Sequence, residues 1–87
     1  MSQSDAWANR FVAVTTSDSA DLEPYRTGRR LTTGLYVGGA GNVAAVAEDG
    51  TVTVFTAPPV GSILPIAVRR INATNTTATV LVALYRT

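Results

Sequence analysis

Three short β-prone runs between Leu35 and Phe55 constrain the fold of this chain more than any other feature. The runs are Leu35–Val37, Val43–Ala47 and Thr51–Phe55, and glycine-bearing breaks separate them. Glycine supplies the positive φ that tight hairpins need, and the second break carries an Asp-Gly pair that is typical of such turns. The stretch therefore predicts an antiparallel meander.

The remainder of the chain after residue 29 continues the pattern of strands and turns. The last apolar run, Val80–Tyr85, is apolar at both alternating sets of positions, as expected of a strand that is covered on both faces. Pro65 lies inside another run, which favours an edge strand or a bulge there because proline has no N–H to donate. We predict strands at about residues 30–37, 42–47, 51–56, 63–70 and 79–86. The expected fold class is all-β: a small antiparallel β-sandwich or open barrel of five to six strands with an extended N-terminal arm.

The N-terminal third has a different character. The first ten residues are polar, with a lone Trp7, and a short helical turn around Asp5–Arg10 is compatible with Ser4 as its N-cap. Phe11–Thr15 alternates weakly and predicts one strand. Thr16–Arg29 has no periodic apolar pattern, which predicts a long loop.

These differences predict two parts, an N-terminal arm over residues 1–29 and an antiparallel β-domain over residues 30–87. Long loops in small domains usually contact a partner. We therefore expect the arm to reach a partner instead of packing on its own domain.

Composition excludes several classes of function. The 87 residues contain no cysteine and no histidine, so we expect no disulfide, no metal and no cofactor, and oligomerisation is the remaining aid to stability. A net charge of +1 argues against nucleic acid as a partner. No apolar run is long enough for membrane insertion, and no secretory signal is evident, so we expect synthesis in the cytosol.

The sharpest chemical motif is Gly39–Ala44, which matches the G-x-G-x-x-A form of a dinucleotide-binding turn. That site needs a helix after the glycines and a second parallel strand, and neither is predicted here. A glycine-rich hairpin is the favoured interpretation.

Catalytic side chains are also lacking. Asp18, Asp21 and Glu23 fall in the predicted loop, where no rigid cleft would separate their pKa values, so a solvated or partner-facing loop is favoured. Ser17 and Ser19 have no histidine to activate them. We predict no catalytic residues and no enzyme activity.

Protein contact is the function that the residues favour. All seven cations are arginine, a residue enriched at interfaces, and two Arg-Arg pairs lie at strand ends, where they are either solvated or paired with a neighbouring subunit. The run Val80–Tyr85 is apolar on both faces, so we predict that one apolar face stays uncovered after the core forms and joins the subunits of a symmetric homo-oligomer. Candidate interface residues are Trp7, Tyr25, Arg29, Arg30, Arg69, Arg70, Leu81, Ala83 and Tyr85.

Five blocks, in order and in register, resemble the spike base proteins of bacterial gene transfer agents and related tailed phages. The blocks are Asp18–Leu22, Leu35–Val43, Val60–Ile66, Ala73–Thr79 and Val82–Tyr85. The chain departs from the family pattern at Pro58–Gly61, which contains an extra proline, and at Asn75, where glycine is common.

The resemblance implies a virion structural protein, a head spike base attached at the capsid vertices that carries a host-contacting fibre. It implies capsid protein and spike fibre protein as partners, favours a pentamer, and places the protein on the capsid surface after assembly in the bacterial cytoplasm. The alternative is a small glycan-binding β-module of a phage or bacterial surface assembly, with Trp7, Tyr25 and Tyr36 as the plausible stacking platforms.

Overall fold

A computed structural model describes residues 8–86 of the chain, which form seven strands and one short helix. The all-β prediction is confirmed. The elements in chain order are β1 (Arg10–Ala13), α1 (Glu23–Gly28), β2 (Gly34–Val37), β3 (Val43–Val46), β4 (Val52–Phe55), β5 (Ser62–Leu64), β6 (Arg70–Ile71) and β7 (Leu81–Tyr85).

The strands form two antiparallel sheets that make a small β-sandwich. Sheet A has the order β1-β7-β2-β5, and sheet B has the order β4-β3-β6. Strand β7 lies between β1 and β2, so the last strand pairs with the first and with the second. The core fills the space between the sheets, because its members come from both of them: Leu35, Val37, Leu81, Ala83 and Tyr85 from sheet A, and Val43, Ala45 and Ile71 from sheet B.

The predicted meander is only half correct. Strands β3 and β4 form a hairpin, with Gly50 at φ 93° in its turn, but β2 and β3 belong to different sheets. Residues 38–42 connect β2 in sheet A to β3 in sheet B. Their glycines are needed mainly because neighbouring parts of the chain lie too close to leave room for a side chain. A Cβ atom on Gly39 would lie 2.9 Å from the carbonyl oxygen of Thr79.

The predicted strand over residues 63–70 is two separate elements. Strand β5 is at the edge of sheet A and ends directly before Pro65, so the expectation of an edge strand is confirmed. The chain then crosses to β6 in sheet B. Buried Thr32 holds this crossing, since its hydroxyl donates to the carbonyl oxygen of Ile66 (2.8 Å) and accepts from the N–H of Val68 (2.9 Å).

The prediction of an irregular loop over Thr16–Arg29 is correct only up to Leu22, because Glu23–Gly28 form helix α1, and the expectation that this segment reaches away from its own domain is wrong. Helix α1 has a proline in its first turn, where no N–H is needed, and Arg29 caps it in the left-handed conformation at φ 55°. Leu22 and Tyr25 are buried, and the N–H of Leu22 donates to the carbonyl oxygen of Arg69 at 2.8 Å. The feature of the sequence that indicates a helix here is the three-residue spacing of the large apolar side chains of Leu22 and Tyr25.

The predicted helical turn at Asp5–Arg10 falls partly outside the described residues. Of the described part, Ala8 and Asn9 are not helical, and Arg10 begins β1. The backbone N–H of Asn9 already donates to the carbonyl oxygen of Tyr85 (2.9 Å), so pairing along β7 begins one residue before the strand itself.

Candidate functional site

An uncharged apolar surface covers the outer side of sheet A, and we call it the sheet A face. Strand register creates it: Phe11 lies opposite Leu84, and Tyr36 lies between Val82 and Ile63. The alternate residues of the same strands point into the core. A shallow cavity of about 360 Å³ lies on this face, lined by Ala8, Phe11, Tyr36, Ile63, Val82 and Leu84.

Two large apolar side chains of the sheet A face are well exposed. Phe11 is 68% exposed and Ile63 is 46% exposed. Large apolar side chains grouped on one surface indicate an interaction site, whereas scattered ones are ordinary. None of the described residues lining the cavity is charged, which is typical of the centre of a protein–protein interface.

Gly38 shapes one end of this face. A Cβ atom there would lie 2.9 Å from Val80 Cγ1 and 3.0 Å from Tyr36 Cε2, so its missing side chain allows the aromatic ring and Val80 to lie close together. Val80 is 66% exposed and extends the apolar surface beyond β7.

A second surface is polar and centres on Asp21. One carboxylate oxygen accepts from Arg69 Nε and from Arg70 Nη1, each at 3.1 Å. The Arg69 guanidinium also lies 5.1 Å from the centre of the Tyr25 ring and donates to the carbonyl oxygen of Glu48. The hydrogen bond to Asp21 raises the pKa of Arg69. A polar cleft of about 630 Å³ adjoins this cluster.

We expect Asp21→Asn to destabilise the protein more than Glu23→Gln does. The Asp21 carboxylate is mostly shielded from water and forms ion pairs with two arginines. The substitution removes its negative charge, so both guanidinium groups lose the anion with which they pair. Glu23 makes one exposed ion pair with Arg10 at 3.5 Å, and such pairs contribute under about 1 kcal/mol. Urea unfolding of both variants measures the difference. Equal losses would show that the Asp21 cluster contributes no more than a surface pair.

Asp18 ties the loop before α1 to the turn after β6. Its carboxylate accepts from the Thr74 hydroxyl (2.6 Å) and from the Thr74 N–H (2.8 Å), and these bonds lower the pKa of Asp18. A lowered carboxyl pKa contributes stability that is present above the unfolded value of about 3.9 and is lost as the pH falls through the folded value.

We therefore expect the stability difference between wild type and Asp18→Asn to be largest near neutral pH and to vanish in acid. Thermal unfolding at a series of pH values from 7 to 2.5 measures this difference. A difference that persists unchanged at the acid end would mean that the carboxylate charge is not its source.

Three predicted interface residues belong instead to the core of their own subunit. Leu81 is 6% exposed, and Ala83 and Tyr85 are 0% exposed, because their alternation on β7 faces sheet B. These three side chains therefore pack against sheet B and not against a neighbouring subunit. The alternate positions, Val82 and Leu84, point to the outer side of sheet A, where Val82 is half-buried and Leu84 is 7% exposed.

The predicted arginines fall into two groups. Arg69 and Arg70 pair with Asp21 of their own chain, and the predicted platform Tyr25 is buried beneath Arg69. Arg29 and Arg30 are exposed at the end of α1, where Arg30 Nη1 donates to the carbonyl oxygen of Arg86 at 3.3 Å. Trp7 lies outside the described residues.

The sheet A face was missed as a site, although its signal is in the sequence. Val12 is half-buried and packs against the core, whereas Phe11 is exposed. The alternation that predicts β1 therefore also indicates which residues of the strand face the core and which face outward. A large apolar residue on the outer side of such a strand is the feature that indicates an interaction surface.

The described residues offer little for small-molecule chemistry. The segment after Gly41 is strand β3, so the dinucleotide-type motif lacks its helix, as predicted. Within residues 8–86 there is no group of three or more acidic, histidine or cysteine side chains placed to hold a metal ion. In the same range, no helix has the length and hydropathy needed to cross a membrane.

Comparisons with known proteins identify a relative. No protein-family profile matches the chain, and no curated protein matches it. A solved structure does: a chain described as the capsid of a native GTA particle computed with C5 symmetry, where GTA denotes gene transfer agent. It superposes with a TM-score of 0.76 at 32% sequence identity, over 97% of this chain and 90% of that chain. The chain therefore belongs to the same family as this capsid chain of a gene transfer agent particle.

Proposed function

We propose that the protein is a structural component of a virion or gene transfer agent particle, and that it is the base of a head spike at the capsid vertices. The observation that carries the proposal is the match, over nearly the whole chain, to a capsid chain of a GTA particle with C5 symmetry. The five sequence blocks that resemble spike base proteins support the vertex position. In this role the protein holds a fibre and performs no catalysis.

The surfaces of the domain support a role in assembly. The sheet A face offers uncharged apolar contact area, whereas no group of the described residues is placed to hold a metal ion. Among the predicted interface residues, Arg29 and Arg30 are exposed and available for contacts with capsid or fibre. Trp7 keeps its proposed interface role.

Cryo-electron microscopy of purified particles tests the proposal. We expect particles from a strain lacking the gene to keep filled heads but to lose density at the vertices, together with the fibre protein. A plasmid-borne wild-type copy should restore both. Finding the protein in the tail or portal would contradict the vertex position, whereas its absence from particles combined with saturable binding of sugars would favour the glycan-binding alternative.

A further inference from the structure

We infer that copies of this chain meet head to tail, with the sheet A face of one copy packed on the exposed side of β4 in the next. This inference rests on the proposed function, because it specifies how subunits of a spike base would contact one another around a vertex.

The second patch lies on β4, and we call Val52 and Val54 the β4 patch. Register places Thr53 opposite Ala45 and Phe55 opposite Val43, and those two partners on β3 face the core. By alternation, the two valines point away from the core, and they are 48% and 39% exposed. Their partners on β3, Ala44 and Val46, are 1% and 0% exposed, so across the β3–β4 pair the exposed apolar surface on this side is formed by the two valines.

The two apolar patches lie on opposite layers of the sandwich, since one is on sheet A and the other is on sheet B. A twofold dimer joins a patch to itself, whereas a ring of five joins two different patches of each subunit. A chain with two distinct apolar patches on opposite layers meets the requirement of the ring. The C5 symmetry of the related particle points in the same direction.

The size of the sheet A face predicts how strong one contact is. Four strands about 4.8 Å apart, each presenting about four residues at 3.3 Å per residue, give a footprint of about 250 Å². Standard interfaces bury roughly 800 Å² per partner, so a contact of this footprint is weak in a single pair and gains from closure of a ring. In a ring every subunit makes two contacts, whereas in a dimer each makes one.

Two single variants and their mixture test the inference by sedimentation velocity over a concentration series. Ile63→Arg disables the sheet A face, and Val54→Arg disables the β4 patch; both positions are exposed, so folding should persist. We expect wild type to form a closed ring and each variant alone to be monomeric. The equimolar mixture should form dimers at the highest concentrations and nothing larger, because each variant keeps one working patch.

Ala20→Arg is the matched control, since it adds a guanidinium at an exposed alanine outside both patches, and its rings should equal those of wild type. Monomeric wild type, rings in either single variant, or a mixture that stays monomeric would each overturn the inference. The two proposals fail separately. Wild-type rings that are absent from particles would refute only the vertex role, whereas normal vertex incorporation of Val54→Arg would refute only the head-to-tail contact.

Discussion

Gly41→Ala is expected to destabilise the protein by about 3 kcal/mol or more, a large part of the 5–15 kcal/mol typical of a small domain. Gly41 has φ 142°, a conformation that L side chains rarely adopt. A Cβ atom there would lie 2.5 Å from the carbonyl carbon of Thr77 and 2.7 Å from Ala78 Cα. That backbone is fixed, because the carbonyl oxygen of Asn42 accepts from the N–H groups of Thr77 (2.9 Å) and Ala78 (3.1 Å).

Two other glycines separate conformational strain from collision. Gly50 has φ 93°, but a Cβ atom on it would meet no other atom within 4 Å, so Gly50→Ala should cost only the left-handed strain of about 1–2 kcal/mol. Gly28 has open space and no positive φ, so Gly28→Ala should be neutral or slightly stabilising. Urea unfolding of the three variants measures the series. A Gly41→Ala loss no larger than that of Gly50→Ala would show that the 77–78 backbone moves aside.

Substitutions of Tyr85 should have opposite effects, depending on what is removed. Tyr85→Ala should cost about 3–5 kcal/mol, because the ring is fully buried in the core between the sheets. Tyr85→Phe should be neutral or stabilising by up to about 1 kcal/mol, since the buried hydroxyl has no hydrogen-bond partner among the described residues.

The pH dependence of the same residue provides a second measurement. Burial raises the pKa of the Tyr85 phenol, so the native state favours the neutral form. Stability is then lost as the pH rises from about 10 through the raised value, and Tyr85→Phe should reduce this loss. Tyr36→Phe, on the outer face, is the control and should change neither quantity. A loss above about 1 kcal/mol in Tyr85→Phe would indicate that the hydroxyl has a partner.

Local sequence patterns predict the strands better than their arrangement. Alternation and turn residues identify most strands, because pleat and turn chemistry act over a few residues. Glycine occurs both in hairpin turns and in connections between the two sheets. The two cases differ only in which part of the chain packs against the glycine. Gly50 turns a hairpin, whereas Gly39 lies against Thr79, which is distant in sequence. The division of strands between two sheets therefore could not be predicted from local pattern.

The candidate site was missed for a related reason. Strand β7 is apolar at all five positions, so its sequence does not say which alternation faces the core. That choice is made by pairing with β1 and β2, which are far away along the chain. The prediction placed Leu81, Ala83 and Tyr85 at the interface, whereas the outward residues are Val82 and Leu84. Helix α1 was missed because six residues give too short a pattern.

The central position of β7 also governs when the protein can fold during synthesis. Of the seven strands, β7 leaves the ribosome last, yet β1 pairs only with β7, and β2 reaches β1 only through it. Until β7 emerges, a nascent chain can form the β3–β4 hairpin, whose contacts are local, and can pair β2 with β5, but it cannot join β1 to sheet A. Non-local pairing of this kind slows folding. Strand β1 therefore has no pairing partner, and one edge of β2 stays unpaired, until β7 has been synthesised.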